Sequence, residues 1–174
     1  MAPLIQTAVP ETAEGDVKKG FELFEKRGID MPVPLLLTTA SPGYFSIMLK
    51  RNIYFSTHPT LSPALLAHIR YFISSRMAFG FCTGFNKSLI LKMGMTEAQF
   101  SVMGDDPEQC LLEDREKHLL VFVLKGVADP EAVGSQDIAL LHQDGWTDSD
   151  IVDALIQAVG MMDHNILMRI LKFS

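Results

Sequence analysis

Cys82 and Asn86 stand four residues apart, a spacing that places a thiol and a carboxamide on one face of a helix. A thiol attacks only as its thiolate, so its setting decides its chemistry. Cys82 falls near the start of its helix, where the helix dipole is expected to lower the thiol pKa. The chemistry this suggests is that of a reactive thiol, with a raised thiolate fraction open to oxidation. The second cysteine, Cys110, lies in an acidic loop region and reaches Cys82 only if that loop moves. His68, on the preceding helix, is the candidate proton carrier, with Ser75 two turns further along. Asn86 both donates and accepts hydrogen bonds but takes no proton near neutral pH. Gly80 and Gly84 leave room for a ligand or a neighbouring helix to approach the backbone.

Each of these residues has a plainer reading. A buried unpaired cysteine behaves as a small hydrophobe, Asn86 fits a satisfied polar position between two helices, and His68 fits a hydrogen-bonded residue with no chemistry. The ten methionines read as adaptable core filler. In the last apolar stretch, Asp163-His164-Asn165 is a polar trio suited to hydrogen bonds at a subunit contact. A metal held by His164 and His68 would need the fold to bring them together. Nothing in the sequence does, so no metal and no cofactor is expected.

The elements that must carry these residues have the helical period almost throughout, and no strand pattern stands out. Residues 1–15 read as an irregular arm, and 16–174 as a single helical domain. Val17, Phe21 and Phe24 share a helix face that Gly28 can end. Met31-Pro32-Val33-Pro34 reads as a rigid connector into Leu35–Leu37. Ser41-Pro42 and Ser62-Pro63 are start signals, for a helix to about Ser56 and a longer one through Ala78. The next helix carries Cys82, Asn86 and Ile90, with Gly94 at its left-handed end. Thr96 to Gln99 is a capping box. Further helices are expected from about Glu113 to Val127, from Ser135 as cap to Gly145, and from Thr147 to the end, the last with an acidic first turn. The fold class is all-α.

The 174 residues are 48% hydrophobic and 21% charged, with a formal net charge of −6. One domain of this length buries about two-thirds of its unfolded surface. The acidic balance argues against a broad nucleic-acid footprint. Lys87, Lys92, Lys125 and Arg169 interrupt every apolar run before the roughly 20 residues that cross a bilayer, so no membrane partner is expected. Mean hydropathy is +0.18, high for a lone soluble chain, and points to a homo-oligomer (dimer, trimer or hexamer). Two cysteines without zinc spacing and no signal peptide fit a reducing cytoplasm.

Taken in order, Leu61-Ser62-Pro63 through His68, Phe79 through Asn86, and Met93-Gly94-Met95-Thr96 resemble the carboxymuconolactone decarboxylase and alkylhydroperoxidase D superfamily. Arg115-Glu116-Lys117 to Asp129-Pro130, and Gly145-Trp146-Thr147-Asp148 with the helix after it, extend the resemblance to about residues 30–172. The resemblance implies a multi-helix, oligomeric alkylhydroperoxidase D-like domain. It also implies a redox site of C-x-x-C, Glu and His. Counting from Gly94, the second cysteine is Cys82, the first falls on Phe79, and the His on Asn86. Counting from Leu61, the Glu falls on Ala67. Phe forms no disulfide, and neither Asn nor Ala relays a proton.

Three functions follow as expectations. The first is a degenerate redox site that leaves a small-molecule-binding or interaction role. The second is a one-cysteine thiol peroxidase that uses Cys82, with His68 and Asn86 beside it. The third is a lactone decarboxylase-like enzyme, whose carboxylate anchor would be Arg70 or Arg76.

Overall fold

The computed structural model describes residues 2–173, so Met1, the first residue of the expected arm, and Ser174 lie outside it. Among the described residues every regular element is helical, and no helix is long and apolar enough to cross a membrane. They divide into two units: the residues up to His58 together with those from Ile166 onward, and Pro59–Asn165.

In the first unit the arm is irregular except for one 3-10 turn, Pro10–Thr12. Two of its amides anchor it, Leu4 N–H donating to the Leu171 backbone carbonyl at 3.0 Å and Ala8 N–H to the Thr39 hydroxyl at 2.9 Å. Helix α1, Gly15–Lys26, turns Val17 and Phe24 inward and stops at Gly28, whose φ is +65°. There Ile29 N–H reaches Phe24 O and Gly28 N–H reaches Glu25 O, the paired bonds of a Schellman ending. The expected connector at Pro32 is instead the start of a short helix, α2, Val33–Thr38. Proline is tolerated in a first turn, where no amide is needed, so Pro34 opens this helix rather than preventing it. Helix α3, Pro42–Ser56, has the expected bounds and buries Phe45 completely. A Cβ at Gly20 would lie 2.4 Å from Phe45 Cζ, so only glycine lets α1 come this close to α3.

In the second unit, α4 spans Pro63–Arg76 and is opened by the Ser62 hydroxyl, which accepts from Leu65 N–H at 3.0 Å. Every residue from Leu65 to Ser74 except Arg70 is buried. That near-complete burial follows from neighbours on two sides, α5 (Gly80–Lys92) and α7 (Asp114–Ala128). Between α5 and α7 come α6, Glu97–Met103, and a 3-10 turn, Pro107–Gln109; α6 opens with the Thr96–Gln99 capping box. After α7 and a turn at Pro130–Ala132 come α8, Ser135–Gln143, and α9, Asp148–Leu171. The cap of α8 is Gly134, not Ser135: the Asp137 carboxylate accepts from Gly134 N–H at 2.9 Å. Thr147 and Asp150 cap α9 reciprocally, and the Thr60 hydroxyl also donates to Asp150. Buried Trp146 donates from Nε1 to Arg115 O at 3.0 Å, and the Arg115 guanidinium lies 3.9 Å from the ring centre.

Helix α4 was expected to run through Ala78 and stops two residues earlier. Phe79 N–H bonds Ser74 O at 2.8 Å and Ala78 N–H bonds Ser75 O at 2.9 Å, which places Ala78 at the left-handed position with φ +53°. An alanine there carries about 1–2 kcal/mol of strain, which glycine relieves at about 0.5–1 kcal/mol of unfolded-state entropy. Ala78 is exposed, so its methyl contributes no core packing. Ala78→Gly is therefore expected to raise stability by about 0.5 kcal/mol in urea titration; a loss of 1 kcal/mol or more would contradict the strain assignment.

Candidate functional site

The turn at Ala78 folds α5 back along α4, so residues equally distant from the turn face one another. Arg70 and Asn86, each eight residues from Ala78, meet: Arg70 Nε donates to Asn86 Oδ1 at 2.9 Å. The amide's other end, Asn86 Nδ2, donates to Cys82 O at 2.8 Å. With both ends engaged, the orientation of the buried Asn86 amide is determined by its partners. One turn closer to Ala78, the Thr83 hydroxyl lies 2.9 Å from Phe79 O and 3.2 Å from Ser74 Oγ, a second polar link between the helices. Cys82 is buried between these links, near enough to Arg70 for that charge to act on its thiol.

The electrostatics of this cluster run against the expectation for Cys82. It is the third residue of α5, as the dipole argument requires, but only 5% exposed. Burial pushes its thiol up from 9.0 to about 12, and Arg70 draws it down only in part. The loss of water around a thiolate outweighs both the helix end and a neighbouring cation. Burial also pulls the Arg70 guanidinium down from its ordinary value to about 10, which leaves it charged at neutral pH. Cys110 is equally sequestered, with its thiol against Met103 Sδ at 3.5 Å and its pKa also near 12.

His68 is not part of the cluster. It sits two residues before Arg70, about 200° away around the helix, and the charge that acts on it is Glu116 of α7. Its Nδ1–H donates to Ala64 O at 2.8 Å, and burial holds the imidazole below its ordinary value. The neutral ring is left with Nε2 buried and without a partner. Ser75 stands with Tyr71 rather than with Cys82. Gly80 and Gly84 have open space where a Cβ would be, with Phe81 and Phe85 exposed beside them on α5. Of the trio on α9, His164 donates from Nδ1 to Gly160 O, while both ends of the Asn165 amide are buried without a partner. Among the described residues no group of three or more His, Cys, Asp or Glu could hold a metal.

Cys82 and Asn86 thus lie together as their spacing predicts, and the residue of α4 set against them is Arg70, not His68. The signal for Arg70 was present: an antiparallel helix pair with its turn at Ala78 sets residue 70 against residue 86. Extending α4 through Ala78 hid that register. Arg76, the other candidate anchor, is exposed and donates to Leu124 O at 3.3 Å. A cleft of about 610 Å³ lies elsewhere, in the first unit, between Ala8, Gly15, Thr39 and Gly43. Its ionisable groups are the acids Glu14 and Asp16.

No protein-family model and no curated protein matches the sequence. Several solved structures are similar, two of which are as follows. One is an alkylhydroperoxidase AhpD core, an uncharacterized peroxidase-related protein from Ralstonia eutropha. It is 15% identical with a TM-score of 0.80, over 99% of this chain and 91% of that one. The other is an uncharacterized peroxidase-related protein from Silicibacter sp., 17% identical with a TM-score of 0.79, over 98% and 90% of the two chains. The chain thus has the alkylhydroperoxidase D-like fold that the sequence resemblance implied.

Proposed function

We propose that this chain uses an alkylhydroperoxidase D-like fold without peroxidase chemistry, as a small-molecule-binding protein centred on α4 and α5. The observation that carries this reading is the state of Cys82: a buried thiol near pKa 12 with no general base in contact. Peroxide reduction by a thiol needs a thiolate, a route for protons and a means of resolving the sulfenic acid. Asn86 supplies no base and is committed to Arg70 and the Cys82 carbonyl, Phe79 supplies no sulfur, and His68 lies on another face of α4. The one-cysteine peroxidase reading is left with the start of α5 and the Arg70 charge in its favour, and burial outweighs both.

Self-association in a reducing cytoplasm belongs to the same proposal. Exposed Val152, Ile156 and Val159 along α9, and Phe81 and Phe85 on α5, support a subunit interface. The decisive assay follows consumption of hydrogen peroxide and tert-butyl hydroperoxide with dithiothreitol as reductant. Wild type and Cys82→Ser are expected to give the same background rate. Turnover by wild type that Cys82→Ser abolishes would overturn the proposal.

A further inference from the structure

Arg70 is the one member of the α4–α5 cluster whose charge nothing in the fold answers. Its Nε is engaged by Asn86, yet no aspartate or glutamate among the described residues pairs with it. The neighbours that act on it are neutral: the Asn86 amide and the Cys82 thiol. Half-buried cations are normally paired, because removing water from a charge costs more than removing it from a dipole. Its two terminal amino groups make no hydrogen bond. They are also not among the buried atoms without partners, which are His68 Nε2 and the Asn165 amide, so they reach solvent. The result is a guanidinium held at Nε by Asn86, with two terminal amino groups left without a protein partner.

We propose that Arg70 is the receptor for a planar, singly charged oxyanion, either the carboxylate of a small organic acid or free bicarbonate. Asn86 is its positioning residue. The proposal rests on the small-molecule-binding reading above and names the ligand class for that site. Two terminal N–H groups match two oxygens of such an anion in a bidentate pair. One cation among neutral neighbours balances one negative charge, whereas a phosphate dianion would bring surplus charge into a half-buried site.

The test is calorimetric titration of the full chain with acetate, benzoate, bicarbonate and inorganic phosphate at pH 7.5. Saturable binding of acetate or benzoate is expected, weakened about ten- to a hundredfold in Arg70→Gln, the loss of a charge-assisted hydrogen bond. Asn86→Asp, which supplies a carboxylate internally, is expected to weaken binding as strongly while Arg70 stays in place. Should Arg70→Gln not fold, Cys110→Ser with Arg70 intact provides the second readout: the bound anion must slow iodoacetamide labelling of Cys82, followed at pH 9, where Arg70 is still charged. Binding of bicarbonate alone would support the site and assign its source. Binding of phosphate in preference to both, no saturation by any anion below about 10 mM, or equal affinity in Arg70→Gln would overturn the proposal. None of these outcomes depends on peroxide turnover, so the site and the non-peroxidase reading fail separately.

Discussion

Cys82 is expected to alkylate at neutral pH about a thousandfold more slowly than an ordinary thiol. The factor follows from its protonation: moving a thiol from 9.0 to about 12 removes about three decades of thiolate at every pH below both values. Two influences favour the anion, the first turn of α5 and the Arg70 charge, and desolvation outweighs them. Iodoacetamide labelling of Cys110→Ser across pH 7–11 reads this directly, with a rate that keeps climbing through pH 10. A plateau near pH 8.5 or below would mean that the thiolate is stabilised after all, and a one-cysteine peroxidase would return as the better account. Arg70→Gln sharpens the experiment. Because Arg70 draws the thiol down, its neutralisation is expected to slow labelling further, whereas a merely structural loosening would speed it.

Helical period, proline start signals and capping boxes are local features, and they were legible wherever the chain obeys local rules. Ser41-Pro42, Thr96 to Gln99 and Thr147 to Asp150 each open the helix that their residue types demand. The departures have a common cause, in that neighbouring residues impose a geometry which residue type alone does not announce. Ala78 takes a left-handed conformation that glycine usually holds, so α4 appeared two residues too long and its register against α5 was lost. Val33–Thr38 is too short to show a period and is helical because Leu35 packs with Phe45 and Met48 in the core of its unit. At the site, the i, i+4 relation of Cys82 and Asn86 was readable because it lies within one helix. The Arg70–Asn86 contact lies between two helices and depends on where the turn falls. The thiol's protonation was the least legible of all. Proximity to a helix start is visible in sequence, but the burial that overrides it is a property of the packed structure.

Burial of both thiols also predicts a chain that loses stability as the pH passes 9. A group whose folded pKa is raised contributes stability that is complete below its unfolded value and disappears as pH climbs to the folded one. For Cys82 and Cys110 that window runs from about 9 to about 12, since the unfolded chain ionises first. Each thiol then contributes a slope of about −1.4 kcal/mol per pH unit, so the pair removes roughly 2–3 kcal/mol between pH 9 and pH 10. That is a large share of a total stability of about 5–15 kcal/mol. Arg70 acts in the opposite sense, because its folded value of about 10 lies below that of an ordinary guanidinium and the folded chain sheds that proton first. Its gain sets in as pH nears 10, where the loss from Tyr71, raised by burial, sets in as well and works against it. The interval from pH 9 to pH 10 is therefore dominated by the thiols, which ionise first in the unfolded chain. Urea midpoints at pH 7, 9 and 10 should fall steeply for wild type and about half as steeply for Cys82→Ala or Cys110→Ala. The double variant should lose most of the slope, even if the small cavities lower its stability at pH 7. Equal slopes in all four proteins would mean that the thiols ionise normally in the folded chain. The sequestered state of Cys82, on which the functional proposal rests, would then be wrong.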